Sequence, residues 1–160
     1  RAGRALKKLK NLGFRMSKEA PIAACSAGSS PIIFPDGRVL ACIGPIVDLP
    51  FPHPLVLGNM REESLYEILD RAESNAILHA IRVWGPRKLI SILEEAGLSQ
   101  FLPDEYIEDS ICMCCYSLLA NSQSVNFLNK LSEELEFKRK VAYARVYYLN
   151  ETEMAEFYQS

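Results

Sequence analysis

The sequence predicts an α+β fold that is mostly helical: a small N-terminal β-hairpin followed by a helical bundle. Three observations predict it. Two short apolar runs flank the turn-forming triplet Pro35-Asp36-Gly37, so residues 32–41 read as a hairpin. From Ser64 onwards, apolar residues recur every three or four positions, the period of a helix face. Between these regions, "GPIVDLPFPHP" carries four prolines. Neither a regular helix nor a central strand tolerates them.

Along the chain, "RAGRALKKLKNLGFR" sets Lys and Arg around Leu6, Leu9 and Leu12, and residues 1–20 are expected to form a linker or a short basic helix. Ile32–Phe34 and Val39–Ala41 are the hairpin strands, and the proline-rich stretch is expected to be an extended loop. Ser64 and Glu67 have the spacing of a capping box, and Leu65, Ile68, Leu69 and Ala72 share one helical face. A second helix is expected over about Asn75–Val83, on Ile77, Leu78 and Ile81. Gly85-Pro86 ends it and starts a third, which carries Leu89, Ile92, Leu93 and Ala96 and closes at Gly97. A linker containing Pro103 leads to "ICMCC", residues 111–115. Beyond it, Val125, Leu128, Leu131 and Leu135 form one helical stripe. Phe137, Val141, Ala144 and Tyr148 form another, and both are expected to face the core.

The chain has 160 residues, enough for one domain with a real core. A formal net charge of -2 gives no electrostatic case for nucleic acid or an anionic membrane. The most apolar stretch, Val39–Phe51, is interrupted by Gly44, Pro45, Asp48 and Pro50 and is too short to span a bilayer. No unbroken apolar segment follows the basic start, as a secretory signal would require. A cytoplasmic, reducing compartment is therefore expected, where cysteines bind metals or do chemistry more often than they pair. The five cysteines are also an odd number, which argues against a pure disulfide framework. The chain opens at Arg1, not Met, as a piece of a longer protein would.

The cysteines fall into two groups. Cys25 and Cys42 bracket the hairpin, with sixteen residues between them, and Cys112, Cys114 and Cys115 follow about seventy residues later. Cys112 and Cys115 form a C-x-x-C pair, which lets one turn aim two sulfurs at one metal centre; Cys114 lies between them and points elsewhere. Three readings stay open on spacing alone. The cysteines could be small buried hydrophobes, a structural four-thiolate zinc site, or the ligands of an iron–sulfur cluster drawn from distant segments.

One family shares this pattern. Cys25, eleven residues, Gly37, four residues and Cys42 resemble the C-x(9–15)-G-x(4)-C signature of SPASM and twitch domains, the auxiliary-cluster domains of radical S-adenosylmethionine enzymes. "PDGRVLAC" is similar to that family's hairpin, "LGNMREESLYEIL" to its Gly-Asn segment and following helix, and "GRA" at residues 3–5 to the joint with the barrel. The resemblance covers about residues 1–120. It implies an auxiliary-cluster domain over residues 21–120 and a C-terminal helical extension of the same domain over 121–160. The full SPASM pattern continues as C-x(2)-C-x(5)-C-x(3)-C, but no cysteine follows Cys115, so the ligands of a second cluster are missing. The shorter twitch arrangement implies one [4Fe–4S] cluster held by Cys25, Cys42, Cys112 and Cys115. Cys114 is the spare or an alternative to Cys115.

The resemblance also implies what lies elsewhere. The chain contains no C-x(3)-C-x(2)-C motif and no barrel-length alternation of strands and helices. S-adenosylmethionine would bind only on an N-terminal barrel missing from this chain, with a peptide or protein as a possible substrate of the parent enzyme. By itself the chain is not expected to be an enzyme. His53, in the proline-rich loop, and His79, beside an apolar helix face, are expected to be non-catalytic. The alternative is a zinc-stabilised interaction module with no redox role.

Overall fold

The computed structural model describes residues 13–50 and 52–156. Residues 1–12, where a basic helix or linker is expected, lie outside the described residues. The architecture is mostly helical α+β. Strands β2 (Ile32–Ile33), β3 (Arg38–Leu40) and β4 (Val56–Asn59) make an antiparallel sheet in the order β2-β3-β4. Strand β1 (Met16–Ser17) pairs antiparallel with β5 (Tyr106–Ile107) in a separate two-stranded ladder. The helices are α1 (Leu65–Glu73), α2 (Ala76–Trp84), α3 (Pro86–Glu95), α4 (Ile111–Leu119), α5 (Ser122–Glu133) and α6 (Leu135–Leu149). Among the described residues, no helix is long and apolar enough to cross a membrane.

The hairpin forms where its turn residues place it. Gly37 has φ 89°, and the Phe34 and Gly37 amides bond across the turn to Arg38 and Phe34 carbonyls. Any side chain at Gly37 would be strained by its φ, and a Cβ there would sit 2.4 Å from Asn59 Oδ1. The Asp36 carboxylate accepts from the Arg38 amide at 3.1 Å and from Arg38 Nε at 2.7 Å, bracing the same turn. Strand β4 is an addition to the expected hairpin. It aligns Val39 with Gly58 and Arg38 with Asn59, with a bulge between Val39 and Leu40. No strand is expected from the sequence at Gly58-Asn59, yet β4 covers the second edge of β3.

The capping box of α1 is present. Ser64 Oγ accepts from the Glu67 amide at 3.3 Å, and the Glu67 carboxylate accepts from the Ser64 amide at 2.9 Å. Arg71 on α1 donates from Nη2 to the Leu57 carbonyl at 2.8 Å, fixing the helix to β4. The proline-rich stretch is not extended throughout. Pro45–Asp48 form a 3-10 turn with Pro45 in its first position, where its lack of an N–H costs nothing. His53 supports this loop from inside: Nδ1 accepts from the Leu55 amide at 3.3 Å, and Nε2 lies 3.4 Å from the Ile46 carbonyl.

Helix α2 is the centre of the bundle. Seven of its nine residues are buried, and it packs against α3, α5, α6 and the short 3-10 turn Ser26–Ser29. One core runs from Val39, Ile46 and Leu57 through Ile68 and Ile77 to Leu89, Leu118, Leu128 and Val141. The expected stripes are only partly buried. Leu69, Leu135 and Tyr148 are exposed, and so is Ala96. Leu135 follows the break at Glu134 that separates α5 from α6, so it no longer continues the face of Leu128 and Leu131.

Gly85 makes the joint between α2 and α3 with φ 77°. A Cβ there would lie 1.8 Å from the carbonyl oxygen of Ala23. The approach is close because residues 23–25 cross the end of α2, where the Cys25 amide donates to the Ile81 carbonyl at 3.1 Å.

A buried polar network fastens the C-terminal end of α6 to α2. The Glu151 carboxylate accepts from Arg82 at 2.7 Å and from Arg145 Nε at 2.6 Å. Arg145 also bonds the Glu73 carbonyl at 3.0 Å and pairs with the Glu73 carboxylate. His79 completes the network. Its Nδ1 lies 2.8 Å from Arg82 Nη1, which can only donate, so Nδ1 accepts; its Nε2 donates to the Ala72 carbonyl at 3.2 Å. The ring is thereby neutral. Burial, with Arg145 and Arg82 adding to it, pushes the His79 pKa from 6.5 down to about 4.

Two outcomes follow. Gly85→Ala is expected to lose about 3 kcal/mol or more, read as a lower urea midpoint, because it adds a forbidden φ to a backbone clash. Between pH 6.5 and 4 the unfolded chain binds a proton at His79 that the folded chain refuses, so stability falls as pH falls through that window. The loss reaches roughly 3 kcal/mol at the lower end. His79→Gln should flatten the dependence of thermal midpoint on pH there, whatever its effect at neutral pH.

Candidate metal centre

The site is built from three segments of backbone. Cys25 ends the irregular run that passes the end of α2 and is held there by its amide bond to Ile81. Cys42 follows β3: the Ala41 amide bonds the Leu55 carbonyl at 3.0 Å, and Cys42 then leads into the Pro45–Asp48 turn. Cys112 and Cys115 lie on α4, whose N-cap Ser110 accepts from the Met113 amide at 3.4 Å. Helix α4 packs against α3 and against the Pro45–Asp48 turn, which sets it facing Cys42.

Helical geometry sorts the three thiols of "ICMCC". At about 100° per residue, Cys112 and Cys115 stand about 60° apart, and Cys114 turns about 100° away from Cys115. Cys112 and Cys115 accordingly line a cavity with Cys25 and Cys42, while Cys114 does not. Cys114 instead points into the core at 1% exposure. The cavity holds about 220 Å³, and its remaining wall is mainly apolar, including Ala41, Ile46, Leu55, Ile81 and Ile111. The four thiols surround this space. Among the described residues, no three Cys, His, Asp or Glu side chains are drawn to the spacing that would hold one metal ion. Neither histidine lines the cavity.

The electrostatics of the thiols differ. Burial pushes the Cys42 thiol up, the Gly44 amide opposes it, and Cys25 and Cys112 add to the rise. Cys115 is pushed well above its ordinary value, first by burial and then by the neighbouring Cys42, Cys25, Cys114 and Cys112. Burial and the neighbouring thiols thus make Cys42 and Cys115 harder to ionise in this cavity. The Cys114 thiol, pushed up to about 12 by burial, is held protonated. Sequence reasoning missed the supports of this site: Gly44, Ile46, Ile81 and Gly85. Gly44-Pro45, starting two positions after Cys42, was the available signal for the first two.

The family model of the SPASM iron–sulfur cluster-binding domain matches residues 25–116. The chain belongs to the SPASM family. The match starts at Cys25 and ends one residue beyond Cys115, so it encloses all four thiols of the cavity. No curated protein and no solved structure matches the chain. Within this SPASM domain the donors fit the family's cofactor: four soft sulfur atoms meet an apolar space far larger than one ion needs.

Brief maleimide treatment of the metal-free SPASM domain, followed by peptide mass spectrometry, is expected to label the exposed Cys112 first. Cys114 should react last, and only when the chain unfolds. Early labelling of Cys114 would contradict its place in the core.

Proposed function

We propose that this chain is an auxiliary [4Fe–4S] domain of a radical S-adenosylmethionine enzyme, with Cys25, Cys42, Cys112 and Cys115 as the cluster ligands. One observation carries the reading: thiols from three distant segments converge on one apolar cavity inside a SPASM match. A single zinc ion sits about 2.3 Å from each sulfur and needs its ligands drawn tightly together. A cluster is a body several atoms across, and thiols spread around about 220 Å³ suit it better.

When bound, such a cluster supplies a one-electron store. Cys25, Cys42, Cys112 and Cys115 would hold it through their sulfurs, and four protein ligands would leave no iron free for substrate. The wall around it is mainly apolar, and Cys112 marks its solvent-facing side. Electron relay and substrate scaffolding are the two roles this arrangement serves. The partners are an N-terminal radical S-adenosylmethionine barrel, which would bind that cofactor, and a peptide or protein substrate, in the cytoplasm. Joining Cys42 to Cys112 closes a loop of about seventy residues, so ligation also removes freedom from the unfolded chain and stabilises the fold.

Anaerobic reconstitution tests the reading. Brown protein with about four irons and four sulfides per chain is expected. Ser at position 25, 42, 112 or 115 should cut iron content sharply, and Cys114→Ser should leave it nearly unchanged. Colourless protein holding one tight zinc overturns the cluster. Equal iron loss in all five variants overturns the ligand assignment.

A further inference from the structure

We propose that the backbone amide of Gly44 sets the reduction potential of this centre through its hydrogen bond to the Cys42 sulfur. The inference rests on the reading of Cys42 as a cluster ligand. The Gly44 N–H donates to Cys42 Sγ at 3.4 Å. Among the described residues, Cys42 is the one cysteine whose sulfur accepts a backbone hydrogen bond. The four corners of the site are thus unequal. Cys112 faces solvent, whereas Cys42 is half-buried and receives a fixed donor.

The geometry of the donor is set by the fold. Gly44 caps the Pro45–Asp48 turn with φ -66° and ψ -175°, and its carbonyl accepts from Val47 at 3.2 Å. The turn packs against α4, so the amide cannot swing away without disturbing the wall that carries Cys112 and Cys115. A ligating sulfur gains negative charge on one-electron reduction and then accepts a stronger hydrogen bond. An amide aimed at it therefore favours the reduced state and raises the potential.

The same φ provides a clean test. A φ of -66° is that of proline, so Gly44→Pro deletes the N–H at an allowed backbone angle. Its Cδ takes the hydrogen's place against Cys42 Sγ, so the midpoint is read from a variant that keeps the natural chain's iron content. For a variant that loses iron, the ¹⁵N measurement below decides. A Cβ at Gly44 would have Cys42 Sγ as its nearest neighbour, at 3.4 Å. Gly44→Ala adds that Cβ and keeps the N–H, which makes it the control. Each reconstituted full chain is titrated anaerobically against redox dyes, with the cluster followed by absorbance. The midpoint of Gly44→Pro is expected below both Gly44→Ala and the natural chain, and those two are expected to agree. Equal midpoints in the Pro and Ala variants overturn the proposal.

If Gly44→Pro does not fold, the natural chain grown on ¹⁵N-glycine decides. Electron–nuclear double resonance of the reduced protein should show a coupled ¹⁵N that disappears in Gly44→Ala. No coupling, or a coupling that survives in Gly44→Ala, overturns the proposal. A natural chain that takes up no iron fails at the earlier step. That failure refutes the cluster reading itself, and this inference with it.

Discussion

The carbonyl of Ile81, at the C-terminal end of α2, accepts two backbone hydrogen bonds, from Gly85 and from Cys25. The first ends the helix and turns the chain into α3. The second brings the first thiol of the cavity to the most deeply buried helix of the bundle. A carbonyl oxygen has two lone pairs, and giving the second to a distant amide joins local structure to the site. Gly85 is required because only a residue without a side chain lets Ala23 pass. The rest of the cavity is assembled around that fixed edge: the Pro45–Asp48 turn on one side and α4 on the other.

A second constraint comes from charge. Crowded, partly buried thiols resist ionisation, and each neighbouring thiolate makes the next one harder to form. Cys114 escapes the constraint by geometry. Rotated onto the core face of α4, it is a buried apolar contact whose thiol is kept from reacting.

Much of this was legible in the residues themselves. The hairpin turn, the Ser64 capping box and the Gly85-Pro86 joint each rest on local chemistry, and each is where the spacing puts it. The thiol pairing was legible because C-x-x-C on a helix and a Gly-centred hairpin restrict where sulfurs point. Strands β1 and β5 were not legible: two residues carry no alternation, and their pairing joins positions about ninety apart. Strand β4 was hidden because Gly58 and Asn59 favour turns, and only the open edge of β3 makes them a strand. Leu135 continues a numerical period that the break at Glu134 disrupts, whereas Tyr148 keeps its period and is exposed near the C-terminal end of α6. Where an apolar helix face held His79, the hydrogen-bond network around it depends on Glu151, seventy-two residues away, and no local pattern contains it.

The order in which the thiols occur along the chain affects how the protein is made. Cys25 and Cys42 leave the ribosome first, and Cys115 is ninety residues behind Cys25. At ordinary elongation rates that gap lasts roughly five to twenty seconds. During it the hairpin pair has no α4 to oppose it and no closed cavity to shield it. With the proposed ligands, cofactor insertion would follow synthesis of α4, and a loaded centre would double as a quality mark: only a chain whose hairpin, α2 and α4 have all docked would carry it.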